Sequence, residues 1–103
     1  MEPAIWTKQT WDERLLEFDA TDAIAAGDSV KAGSVVDVTV WEGTTDKTAT
    51  MFVGPASIVG NKVYAKIIGG TDTHSYWVRI RILTTNGDKI EDDLRLLVRN
   101  VGG

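Results

Sequence analysis

The 103-residue sequence predicts an all-β fold: a single Ig-like, fibronectin-type-III-like Greek-key β-sandwich of about six to seven strands. Three observations predict it. First, Tyr76, Val78, Ile80 and Ile82 share one face of an alternating run, while Trp77, Arg79, Arg81 and Leu83 share the other. Second, Thr84-Thr85-Asn86-Gly87-Asp88 turns the chain into another alternating run, from Ile90 to Val98. Third, turn residues recur at even spacing, and no helical period of useful length interrupts them.

The elements follow in order. Residues 1–10 lack a period and carry Pro3 with the apolar pair Ile5 and Trp6, so they are expected to form a flexible arm ahead of one sandwich domain at 11–101. Leu16 and Phe18 face inward on a first strand. Thr21 to Gly27 has a helix-type start and a glycine stop but is too short to stand alone, so it reads as one turn or a tight crossover. Val36, Val38 and Val40 alternate with Asp37, Thr39 and Trp41, the pattern of a half-buried strand. A polar loop follows from Glu42 to Lys47, then a strand from Thr48 to Val53 that Gly54-Pro55 closes, and a short piece around Ser57 to Asn61. Val63, Ala65 and Ile67 line one face of the next strand, and Gly69-Gly70 ends it.

The last hairpin can be put in register. With Gly87 in the left-handed position of a three-residue loop, Thr84 lies opposite Asp88. Ile82 then meets Ile90, Val78 meets Leu94 and Tyr76 meets Leu96. On the other face Arg81 meets Glu91, Arg79 meets Asp93 and Trp77 meets Arg95. A two-residue loop would set apolar residues against charged ones. Asp92 is left on the inward face, where it needs solvent or a hydrogen bond.

Composition narrows the function. The net charge of -4 argues against nucleic acid as partner. The absence of cysteine removes disulfides, thiolate nucleophiles and cysteine metal sites. No segment has the length and apolarity of a membrane span or a signal peptide, so neither membrane nor export is expected. His74 is the sole histidine and reads as an idle loop residue, because neither Ser57 nor Ser75 sits in a nucleophile motif. No catalytic residue, cofactor or metal site is expected. Glu91 and Asp93 read as rungs of a charge ladder with Arg81 and Arg79 rather than as calcium ligands, and Asp19 with Asp22 as a local cap. Gly69-Gly70 lacks the lysine and helix of a phosphate loop.

Tyr76 opens its strand just after a turn, where a tyrosine corner sits in Ig-like sandwiches. Trp6, Trp41 and Trp77 are candidates for a protein interface or a sugar-stacking platform, with Arg79 and Arg81 beside Trp77. Burial of Trp6 in the core, and Trp77 lying over Arg95, are the plainer alternatives.

The order of several short segments resembles a family of small virion proteins of tailed bacteriophages and prophages, the fibre-tail adaptors. The segments are Leu16-Glu17-Phe18-Asp19, Ala26-Gly27-Asp28-Ser29-Val30, Val36 to Val40, Gly60-Asn61-Lys62-Val63, Ile68-Gly69-Gly70-Thr71, Tyr76 to Ile82, Thr84 to Gly87, and Glu91 to Val98. The likeness spans about Trp11 to Arg99. The charged stretch from Glu42 to Pro55 departs from the family pattern. The resemblance implies a compact Ig-like sandwich without enzymatic activity, found in the virion and, during assembly, in the bacterial cytoplasm. It implies docking on head-tail or tail components and other phage structural proteins, and it is compatible with a homo-oligomer in the particle. A carbohydrate-binding or adhesion module built on the same fold, with Trp41, Trp77 or Tyr76 as stacking platforms, is the rival reading.

Overall fold

The computed structural model describes residues 5–21, 24–31 and 37–100. Among these it holds eight strands in two sheets. They are β1 (Ile5–Lys8), β2 (Arg14–Asp19), β3 (Asp37–Glu42), β4 (Thr45–Asp46), β5 (Phe52–Val59), β6 (Lys62–Ile67), β7 (Ser75–Leu83) and β8 (Lys89–Val98), with a one-turn helix α1 (Thr48–Met51) ahead of β5. The larger sheet has the order β1-β8-β7-β3-β4 and the smaller β2-β6-β5. The fold is therefore all-β.

The core lies between the sheets because each central strand alternates. Val38 and Val40 of β3 and Tyr76, Val78, Ile80 and Ile82 of β7 are buried from one side, as are Leu96 and Val98 of β8. Leu16, Val63, Ala65 and Ile67 close it from the smaller sheet. The β7–β8 register has every pair that the alternation predicts, from Tyr76 opposite Leu96 to Ile82 opposite Ile90. The three-residue loop closes with the Thr84 N–H donating to the Asp88 carbonyl at 2.8 Å, and Gly87 sits at φ 94°. Asp92 is exposed, and its Oδ1 accepts the Asp93 N–H.

Four expectations are corrected. The arm expected over residues 1–10 is in part a strand: β1 runs parallel to β8, with Trp6 opposite Leu96 and Lys8 opposite Val98. Trp6 packs against the core. Lys8 is buried, and its ammonium donates to the Gln9 and Gly69 carbonyls. That inward lysine hides the alternation of β1 in the sequence. Burial pushes the Lys8 ammonium below its ordinary value, while Asp12 and Glu13 oppose the shift.

The strand expected over Thr48 to Val53 is instead α1 followed by the start of β5. Asp46 Oδ1 accepts the Thr48 N–H and turns the chain so that Met51 reaches the core. β5 then continues through Gly54-Pro55 to Val59 rather than ending there, with a bulge between Val53 and Ser57. β1 and the two-residue β4 raise the strand count above the expected six or seven. Val36 and Asp22, used in the sequence reading, lie outside the described residues.

The ends of the sandwich are tied by polar groups. At one end the Tyr76 hydroxyl accepts the Thr71 N–H at 2.8 Å. This anchors the loop between β6 and β7. Tyr76→Phe should lower stability by about 1 kcal/mol, readable in urea denaturation, and leave the fold intact.

At the other end the crossover from β2 clasps the β7–β8 turn. Asp28 Oδ1 accepts the N–H groups of Ser29 at 2.8 Å and Asn86 at 3.1 Å. Thr85 donates to the Ser29 carbonyl and Lys31 to that of Leu83, while Asn61 Oδ1 accepts the Val30 N–H. The Thr84 hydroxyl and these backbone donors hold the Asp28 carboxyl below its ordinary value. A depressed carboxylate contributes stability above its unfolded pKa, about 3.9, and loses it as pH falls through the folded value. Asp28→Asn should therefore be less stable than the parent near neutral pH. The gap should narrow as pH falls through the lowered folded value, which urea melts near neutral pH and in acid would read.

Candidate functional site

The outward residues of the larger sheet form one platform. Alternation that buries Val40 and Val78 must turn Trp41 and Trp77 to the opposite face. β3 and β7 are antiparallel neighbours, and their register sets Trp41 directly opposite Trp77. Trp77 is 39% exposed; Trp41 is half-buried. The indole Nε1 of Trp41 donates to Thr39 Oγ1 at 3.0 Å, which fixes the ring over its own strand. With Gly43, Arg79 and Asp93 the two indoles line a hollow of about 300 Å³.

A charge ladder borders the indoles. Arg79 Nε lies 3.1 Å from Asp93 Oδ1 and 3.7 Å from Glu91 Oε1, and Arg81 Nε lies 2.6 Å from Glu91 Oε1. Arg79–Asp93 and Arg81–Glu91 are the cross-strand pairs the register predicts, and Arg79–Glu91 is a diagonal contact between them. The hydrogen bond to Asp93, then the charges of Asp93 and Glu91, push Arg79 above its ordinary value. The hydrogen bond from Arg81 holds Glu91 below its own, with Arg79 adding to it. Exposed pairs of this kind add little stability. Their effect is to restrain two long arginine side chains on the outer face, Arg79 beside the tryptophans and Arg81 further along β7, so less side-chain entropy remains to be lost on docking.

A further tie lies at the same end of the sheet, on the side of the buried Tyr76. His74, expected to be idle, has its Nδ1 hydrogen-bonded to Glu42 Oε2, and its ring stacks on Tyr76 with centroids 6.4 Å apart. It ties the loop before β7 to the end of β3, next to Trp41.

Of the five interaction candidates read from the sequence, Trp41, Trp77, Arg79 and Arg81 come together on this face. Trp6 does not, since it packs toward the core from β1. The sequence reading passed over Trp11, in the loop between β1 and β2, which is 91% exposed. A polar surround, Gln9-Thr10 before it and Asp12-Glu13-Arg14 after it, was the available signal. Among the described residues no three histidine, cysteine or acidic side chains are placed to hold a metal ion.

The platform therefore offers aromatic area, a fixed pattern of charge and a shallow hollow, which suits binding. The family model described as podophage GP4 fiber-tail adaptor protein gp77 matches residues 8–98. No curated protein matches the chain. The chain belongs to the podophage GP4 fiber-tail adaptor gp77 family.

Proposed function

We propose that this member of the fiber-tail adaptor family is a non-enzymatic structural protein of the virion. It would dock on head-tail or tail components through the outer face of its larger sheet, after synthesis in the bacterial cytoplasm. One observation carries the reading: the fold gathers Trp41, Trp77, Arg79 and Arg81 on a single pre-ordered face, in a chain of an adaptor family. Tryptophan and arginine are the residues that most often dominate binding energy at protein interfaces. The partners are other phage structural proteins, and further copies of the chain in the particle fit the same role.

We also read residues 11–101 as one Ig-like domain of Greek-key type onto which β1 docks. The hydroxyl of Tyr76 on the Thr71 N–H, a corner at the start of a late strand, supports this.

Quantitative mass spectrometry of purified particles tests the proposal. A fixed copy number per particle is expected; absence from intact particles would overturn it. The paired indoles beside Asp93 and Arg79 also favour a second reading, glycan stacking. Glycan-array signal that disappears in Trp77→Ala would select it.

A further inference from the structure

A two-sheet sandwich has four edges, and the described residues treat them unequally. Unpaired edge strands invite strand addition, and proteins blunt them with short strands, prolines and bulges. β4 is two residues long and β1 four. β5 carries a bulge between Val53 and Ser57, and Pro55 within it has no N–H to offer. β2 is six residues long and carries neither device. Its register with β6 runs unbroken from Arg14 opposite Ile67 to Asp19 opposite Lys62.

Ladder geometry says which groups β2 leaves free. Antiparallel pairs alternate between hydrogen-bonded and non-hydrogen-bonded positions. In continuation of that register, the Ala20 N–H donates to the Asn61 carbonyl at 2.8 Å. Phe18, Leu16 and Arg14 therefore bond to β6. Leu15, Glu17 and Asp19 turn their N–H and C=O groups to the outer edge, where no strand among the described residues meets them. Leu15 is 64% exposed there, and the exposed Trp11 stands in the loop that leads into this strand.

Charge selects the occupant. The outward side chains of β2 are Leu15, Glu17 and Asp19, with Glu13 just before them. A second copy pairing antiparallel through the same edge meets mismatch in each phase that keeps the faces aligned. Centred on Leu16 it sets Leu15 against Glu17; centred on Glu17 it sets the two Glu17 side chains together; centred on Phe18 it sets Glu17 against Asp19. Like charges directly opposite are destabilising. Lys62, 3.0 Å from Glu17 on the β6 side, shows the complement that this row accepts.

We propose that β2 is a strand-addition site for an extended segment of another protein. That segment alternates, with cationic side chains opposite Glu17 and Asp19 and apolar ones over Leu16 and Phe18. The site is separate from the tryptophan platform, so either proposal can fail without the other.

The test uses the full chain, 15N-labelled, and two short synthetic peptides, one alternating lysine with valine and one alternating glutamate with valine. The lysine peptide should shift the Leu15, Glu17 and Asp19 amide signals and protect them from hydrogen exchange, and the glutamate peptide should bind at least about tenfold more weakly. Glu17→Pro removes an edge N–H that β6 does not use, so it should fold yet lose the lysine peptide. Glu17→Lys, which keeps the N–H, should bring the two peptides closer in affinity or reverse their order. Signals that move at another edge or at none overturn the proposal, as does an unchanged preference in Glu17→Lys. Protection of the same three amides that depends on protein concentration alone would mean that a second copy is the occupant, and would also overturn it.

Discussion

Replacing both Trp41 and Trp77 by alanine is expected to reduce incorporation into particles at least about thirtyfold, because truncating a hot-spot side chain costs about 2 kcal/mol or more. Trp41 lies opposite Trp77, on the face that turns away from the buried Val40 and Val78. Neither ring is needed to close the core. Their removal costs the fold about 1 kcal/mol for a lost cross-strand aromatic pair, and the thermal melt should move only a few degrees. The Arg79–Asp93 and Arg81–Glu91 pairs should persist, since both lie between β7 and β8. Copies per particle, compared between the parent and the double variant at matched expression, give the readout. Parental incorporation of a folded double variant would remove the platform from the docking surface.

The largest stability effect is expected at Gly70. Its φ of +91° lies in the left-handed region, and a Cβ there would come within 2.8 Å of Val98 Cγ2, 3.2 Å of Met51 Cε and 3.5 Å of the Tyr76 ring. The methionine end can move. Val98 belongs to a central strand and is fully buried, so it cannot give way without disturbing the pairing of β8 with both β1 and β7. Gly70→Ala should cost about 2–4 kcal/mol, combining backbone strain with overpacking. Gly87 is the matched control: its φ is +94°, and nothing lies within 4 Å of a Cβ built there. Gly87→Ala should cost only the strain, about 1 kcal/mol. Urea denaturation of the two variants separates packing from backbone conformation. Equal losses would mean that the close approach at Gly70 is relieved at no cost.

The sequence made the second half of the molecule legible because the physics there is local and periodic. β7 alternates throughout and β8 does so but for Asp92, a short turn with glycine joins them, and only one register keeps both faces consistent. That register also placed Arg79 beside Asp93 and Arg81 beside Glu91. Trp41 and Trp77 were readable as outward by parity. Their meeting across β3 and β7 was not, because it depends on a long-range pairing that no local pattern encodes.

The failures have equally specific causes. β1 was hidden because Lys8, an inward residue, is charged, and one of the two carbonyls that satisfy its ammonium, that of Gly69, is distant in sequence. The packing of Trp6 against the core was hidden with it. α1 was read as strand because Thr48 to Val53 is rich in β-formers, and the capture of the Thr48 N–H by Asp46 overrides that preference. The contact of His74 with Glu42 was not legible because the two lie 32 positions apart, one in the loop before β7 and the other at the end of β3. The fiber-tail adaptor resemblance, carried by the order of short segments rather than by one motif, agrees with the family match over residues 8–98.

Hydroxyl-radical footprinting of intact particles against the free chain tests the central claim most directly, because tryptophan oxidation reports solvent access at the residues in question. Docking through the larger sheet predicts that Trp77, 39% exposed in the free chain, loses most of its labelling in the particle, with Trp41 protected alongside it. Labelling of Trp77 in the particle equal to that in the free chain would contradict the account.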